Sequence, residues 1–269
     1  MIAHLINTDV GKRGVLPLYL DYRREKFSFL RDSATLFLDN LDRVLIVTGF
    51  PIPPGMIPET DGPPGALAVA KAVRRLGGKA EILTYPEVKK ALEPFGVEFA
   101  EDPDPYNYSL IIGVETPGRG IDGRARSMSG RIIERELFDG IFLEAREAGV
   151  PTIGIGDGGN EAGMGRIRDL VSRHIPLGER IASMVETDEL VLSAVSNWGA
   201  YGLLGQASIE VGKDLLEGWD ERTVVTAMTE AGLIDGVTRR VEASVDGISL
   251  NLHIRMVELL KGIVSEAIG

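Results

Sequence analysis

Five short apolar runs constrain this chain more than any other feature. They are RVLIVTGF from Arg43, then Lys79–Tyr85, Ser109–Val114, Pro151–Ile155 and Leu190–Ser196. Each is strand-length, carries β-branched residues and is apolar on both faces. Helical patterns separate them. DSATLFLDNLD (Asp32–Asp42) precedes the first run, and Pro63–Gly77, Pro86–Phe95, Arg131–Ala148 and Glu161–Arg173 lie between the rest. Trp198–Val211, Glu221–Ala231 and Leu250–Ile268 follow the last, and AHLINTDVGKRGV near the start reads as a short helix broken by Gly11 and Gly14. Strands buried on both faces and alternating with helices imply a mostly parallel sheet covered on two sides. The expected fold is a three-layer α/β/α, Rossmann-like doubly wound sheet. No Pro/Ser/Gly linker divides it, so one α/β domain over residues 1–269 is expected, with the helical segment 1–42 packed on it.

In such a sheet the C-terminal strand ends share one edge, and ligands bind in the crevice there. The unusual residues fall after those ends. TGFPIPPGMIPETDGPPG supplies Thr48, Gly49, Glu59 and Asp61, and ETPGRGIDGRARSMSGR supplies Arg119, Arg124, Arg126 and Arg131. GIGDGGNEAGMG supplies Asp157, Gly158, Gly159, Asn160 and Glu161, and SNWGAYG supplies Asn197. Four loops distant in sequence are therefore expected to meet in one crevice.

Composition narrows the chemistry. The net charge is −11 with no basic stripe, which argues against nucleic acid and anionic membranes as partners. No run approaches the roughly 20 apolar residues of a membrane span. The N-terminus lacks the order of a signal peptide, which reads as cytoplasmic. Cysteine is absent, which removes thiolate nucleophiles and disulfides. His4, His174 and His253 are too scattered for a metal cluster or a nucleophile triad. Acid–base work then falls to Asp, Glu, Lys or Tyr.

Each loop also has a plainer use. Gly154, Gly156 and Gly159 match G-x-G-x-x-G, but no acid follows about 20 residues on to close a second strand, so no dinucleotide is expected. Asn160 suits a helix cap and Asp61–Gly62 a turn before the Pro63–Pro64 helix start. Asn197 and Trp198 suit a cap and packing as well as a pocket wall. The arginines suit solvent as well as a carboxylate or phosphate. Clustered Asp157 and Glu161 are better explained by a cation, whether a metal or a substrate amine, while loop N–H groups beside them hold a carboxylate.

Taken together, TGFPIPPGMIPETDGPPGALA, ETPGRGIDGRARSMSGR, TIGIGDGGNEAGMG, SNWGAYG and the early HLINTDVGKRG resemble the D-glutamate cyclase family. The resemblance is to the domain that forms the C-terminal part of the mitochondrial enzyme and stands alone in microbes. It runs in order from His4 to Gly202. It implies a lyase that dehydrates D-glutamate to 5-oxo-D-proline.

The crevice suits an amphoteric small-molecule substrate. Glu59, Asp61, Asp157 and Glu161 are the candidate catalytic acids and bases. Arg119 and Arg124 are expected to hold the α-carboxylate, with Thr48, Gly49, Gly158, Gly159, Asn160 and Asn197 as further substrate contacts. The rival use of the acids is Mg²⁺ or Mn²⁺ on Asp157 and Glu161. Two other classes stay open: a metal-dependent phosphotransferase or phosphohydrolase, and a non-catalytic amino-acid-binding module. A homodimer is the default assembly.

Overall fold

The computed structural model describes residues 1–269. Six strands form one parallel sheet: β1 (Arg43–Thr48), β2 (Lys79–Leu83), β3 (Glu98–Phe99), β4 (Leu110–Val114), β5 (Thr152–Gly156) and β6 (Glu189–Leu192). Their order is β3-β2-β1-β4-β5-β6, the doubly wound Rossmann order. The direction of winding reverses between β1 and β4, so a crevice opens beyond their C-terminal ends. The five runs read from the sequence are all strands; the two-residue β3 was not among them.

Eleven α-helices accompany the sheet: α1 (Ile2–Ile6), α2 (Val15–Glu25), α3 (Phe29–Asp39), α4 (Pro63–Arg75), α5 (Pro86–Leu92), α6 (Gly140–Ala148), α7 (Arg168–His174), α8 (Gly178–Ile181), α9 (Ser196–Val211), α10 (Glu221–Glu230) and α11 (Leu250–Ile268). Strand residues alternate between two cores. Val44, Ile46, Ile82 and Ile112 join the large cluster with α3, α4, α9 and α11, while Leu45, Val47 and Ile111 face Ile141, Phe142 and Ala145 of α6. This is the three-layer arrangement expected.

α4 begins at Pro63 and Pro64, where a missing N–H costs nothing, and ends before Gly77 at φ +93°. It is buried nearly all round because α9 lies against it. A Cβ on Gly65 would sit 2.9 Å from the Ala200 Cβ, so small residues set that close approach.

Three helical expectations need correction. The helix expected over Arg131–Ala148 starts only at Gly140. Ile132 bridges Arg126 and the Ile133 N–H bonds the Ala125 carbonyl, so this stretch is extended and packs Ile133 against Phe50, Ile52 and Ile234. The helix expected from Glu161 starts at Arg168, after a 3₁₀ turn at Gly165–Ile167. The GKRG segment leads into α2, a helix the sequence reading did not include.

Candidate active site

A cavity of about 300 Å³ opens at the winding reversal, lined among others by Arg13, Glu59, Glu115, Asn160, Glu161 and Asp246. Six carboxyl side chains gather on and behind its wall. Glu59, Asp61, Glu115, Asp157, Glu161 and Asp246 are all at most 6% exposed. The nearest cation is Arg13, whose side chain is 17% exposed. Its guanidinium takes Asp157 in bidentate fashion, at 3.0 and 2.9 Å, and also meets Asp246.

The chain bends sharply to build this wall. The non-glycine residues at positive φ are Lys12, Met56, Glu115, Leu177, Arg239 and Asp246. Glu115, Arg239 and Asp246 line the cavity, Lys12 adjoins Arg13 and Leu177 adjoins Pro176, both lining residues. Such residues cost of order 1–3 kcal/mol each and persist where the surroundings over-determine them, commonly at functional sites.

The glycine-rich loop is filled from within. The N–H groups of Gly158 and Gly159 donate to the Glu161 carboxylate at 2.7 and 2.8 Å, and that of Asp157 at 3.3 Å. The expected cradle for a substrate anion is therefore occupied by the chain's own glutamate, and Gly158 and Gly159 are corrected from substrate contacts to supports of Glu161. A Cβ on Gly158 would stand 2.6 Å from Met128 Sδ, 2.8 Å from Asn160 Oδ1 and 3.0 Å from Glu161 Oε1, which explains glycine there. Asn160 lines the cavity and donates to the Arg126 carbonyl at 2.7 Å. It caps no helix, since none begins there.

Asp61 and Asn197 form a reciprocal pair of caps. Asp61 accepts from the N–H groups of Ser196 and Asn197 at 2.8 Å each, closing the first turn of α9. Asn197 Oδ1 accepts from Gly62 at 3.0 Å and Gly65 at 2.8 Å, closing the first turn of α4. Neither lines the cavity, so both are corrected to positioning residues. Thr48 and Gly49 sit at the end of β1 behind the wall, where the Gly49 N–H holds the Glu115 carbonyl at 3.1 Å. They too do not line the cavity.

The two arginines chosen for the α-carboxylate lie elsewhere. The Arg119 guanidinium is paired with buried Asp139, and Arg124 is exposed; neither lines the cavity. Long loops carry many charges, and sequence order alone does not say which points inward. The residues missed were Arg13, Glu115, Asp246 and Arg239. Asp246 had a readable signal: Asp246–Gly247 joins Ser244–Val245 to Ile248–Ser249 as a two-residue hairpin, with φ +56° and +72°.

The motif resemblance is borne out by comparison. The family model described as D-glutamate cyclase-like, C-terminal, matches residues 2–261. The chain belongs to that family. It is 34% identical to human mitochondrial D-glutamate cyclase across 75% of its own length, and spans 37% of the length of that relative. Solved structures with a looser likeness are the exonuclease RecJ bound to manganese, with a TM-score of 0.40, 11% identity and 89% of this chain and 65% of that one covered. RecJ with Mn²⁺ from Thermus thermophilus gives 0.38, 13%, and 89% and 37% covered. At those values neither bears on function.

In this cyclase-family chain, electrostatics follow from six acids sharing little water. Burial pushes Glu59 well above the usual carboxyl range, and Asp246, Asp61 and Asp157 push it further. Burial raises Glu115 likewise, reinforced by Glu161 and Asp157. Asp246 is raised by burial to about 8, although Arg13 pulls it down. Asp157 is raised by burial against the pull of Arg13. Asp61 is raised by burial, Asp246 and Asp157, opposed by the N–H groups of Asn197 and Ser196. Burial would lower Arg13, but Asp157, Asp246, Glu115 and Glu59 raise it well above its ordinary value. Burial and crowding thus favour the protonated forms of Glu59, Asp61, Glu115, Asp157 and Asp246, while Arg13 pulls Asp157 and Asp246 toward the ionised form. Ser196 Oγ holds Glu115 at 2.5 Å and fixes its direction.

Proposed function

We propose that this chain closes D-glutamate to 5-oxo-D-proline with loss of water. The observation that carries the reading is a small cavity whose wall holds Glu59, Glu115, Glu161 and Asp246 together with two arginines, Arg13 and Arg239. Family membership supports a cyclase of this class. The whole human relative is far longer, so its substrate is carried over here only as a proposal.

The reaction joins the α-amino nitrogen to the γ-carboxyl carbon and breaks one C–O bond. Nitrogen gives up two protons, and the departing oxygen takes two and leaves as water. Nothing is oxidised or reduced. Glu59 and Glu115 face the cavity and suit the exchange, one ionised to take a proton from the ammonium and one protonated to give a proton to oxygen. The acidic wall attracts the ammonium end of the substrate. Arg13 keeps Asp157 and Asp246 in place and offsets their charge. Enclosure in a cavity at the small end of ligand sites supports the folded, ring-closing conformation of a flexible chain.

The same acids fit a hard divalent cation. Glu115, Asp157 and Glu161 bring one oxygen each within 4.8 Å of one another, as do Asp61, Asp157 and Asp246. All-oxygen donor sets suit Mg²⁺ or Mn²⁺, with the Arg13 guanidinium as the competitor for Asp157 and for Asp246 Oδ2. Such an ion would polarise the γ-carboxyl as a Lewis acid. The phosphoryl-transfer reading is weaker, because the loop N–H groups that would cradle a phosphate already hold Glu161.

The test is incubation with D- and with L-glutamate, each with and without EDTA, with 5-oxoproline read by mass spectrometry. Product from the D-enantiomer supports the reading. Product lost with EDTA and restored by Mn²⁺ or Mg²⁺ assigns the metal role. No product in any arm, even with added cations, overturns the lyase assignment.

A further inference from the structure

The cavity has two electrical ends. Its wall is acidic, and Arg13 is committed to Asp157 and Asp246. The other cation lining it is Arg239. That side chain is exposed and engages no carboxylate of the chain; its neighbour Arg240 pairs with Glu242 instead. An arginine at the mouth of a cavity rich in carboxylates, yet tied to none of them, is placed to receive a carboxylate from outside.

The backbone beneath it is fixed. Asp235 Oδ1 accepts from the N–H groups of Val237 and Thr238, at 2.8 Å each. Asp235 Oδ2 accepts from Ser244 Oγ at 2.6 Å and from the Gly247 N–H at 2.8 Å, and the Asp235 carbonyl accepts from the Arg239 N–H at 2.8 Å. Arg239 itself stands at φ +60°, a conformation that a side chain-bearing residue adopts only when held. One buried aspartate thus ties the loop carrying Arg239 to the hairpin carrying Asp246. Ser127 and Ser129 also line the cavity, with their hydroxyls 3.0 Å apart, and add neutral donors.

We infer that Arg239 is the specificity-determining residue of this site, binding the carboxylate of an α-amino dicarboxylate that takes no part in ring closure. This rests on the proposed lactam-forming reaction. It orients the ligand: the amine and the γ-carboxyl lie against the acids, and the α-carboxylate lies at the mouth on the guanidinium. A planar guanidinium binds a carboxylate through two parallel N–H bonds, which a lysine cannot reproduce.

The test compares wild type, Arg239→Ala and Arg239→Lys on D-glutamate and on its α-carboxamide, with binding followed separately by calorimetry. Loss of a charge-paired carboxylate contact is expected to raise KM for D-glutamate by about 10²-fold in Arg239→Ala, with a much smaller change in kcat. Arg239→Lys recovers part of that loss. The α-carboxamide is a poor ligand for wild type and is nearly insensitive to Arg239→Ala. Wild type that converts D-glutamate while Arg239→Ala keeps the same KM overturns the assignment and leaves the reaction standing. Wild type that binds D-glutamate through Arg239 without forming product supports the assignment and removes the reaction. Wild type that neither binds nor converts it removes both.

Discussion

Replacing Arg13 with methionine tests the electrostatic account of the site. Arg13 bonds both oxygens of Asp157, at 3.0 and 2.9 Å, and pairs with Asp246, in a cluster of buried carboxyls. Removing one partner of a buried pair typically costs about 3–5 kcal/mol. For a chain of this length each kcal/mol shifts Tm by about 2–3 °C, so a fall of roughly 6–15 °C is expected at pH 8. The loss must depend on pH. A carboxyl raised in the folded state stabilises the fold fully below its unfolded pKa, and that contribution is lost as pH rises toward the folded value. For Asp246 the window runs from about 4 in the unfolded chain to about 8 in the folded protein. Without Arg13, Asp246 and Asp157 rise further, so the window widens upward and the penalty shrinks at low pH. Thermal unfolding of both proteins at pH 5 and pH 8 in EDTA reads this directly. An equal Tm loss at the two pH values would refute the reasoning, since it would reduce Arg13 to packing.

Glu221 offers a test away from the cavity: it is the buried first residue of α10, accepts from Tyr201 and Trp219 at 2.7 and 2.9 Å through one oxygen, and leaves the other without a partner. Burial raises it to about 7, so stability should fall between about pH 4.5 and 7, and Glu221→Gln should unfold at a higher temperature than wild type at pH 8.5 but close to it at pH 5; a lower Tm at pH 8.5 would contradict this. At Gly236 an added Cβ would overlap Glu59 Oε2, so Gly236→Ala should displace that carboxylate and cut turnover at least tenfold. Circular dichroism should show an unaltered fold, and unchanged turnover would remove Glu59 from the chemistry.

How far the sequence carries depends on what each residue is attached to. Glu59, Asp157, Asn160 and Glu161 follow strands, and strand ends are readable from β-branched runs, so their convergence was legible. Asp61 and Asn197 were legible as a pair in a different sense. Their plainer uses, turn and cap, describe them better than catalysis, although each caps the other's helix across more than 130 residues. Arg13 lies in an N-terminal segment outside the strand–loop alternation, and no local pattern directs it toward β5. Arg119 and Arg124 show the converse. A loop at the correct edge still turns charges to solvent or, as Arg119 does with Asp139, to its own far end.

What closes the site is therefore neither the sheet nor its loops alone. Asp61 and Asn197 lock the first turns of α4 and α9 together, and Ser196 in that lock also holds Glu115. α9 packs against α11, which begins directly after the Asp246 hairpin. His253 on α11 accepts from Trp198 Nε1 on α9 at 2.9 Å and contacts the Val245 carbonyl at 3.2 Å, one residue before Asp246. Burial lowers the pKa of His253, so it is neutral at pH 7, and with Nδ1 accepting from Trp198 the ring proton sits on Nε2, facing that carbonyl. A single buried tautomer thus links the helix that orients Glu115 to the hairpin that presents Asp246. The C-terminal helix, which carries none of the acids, fixes the spacing between two of them.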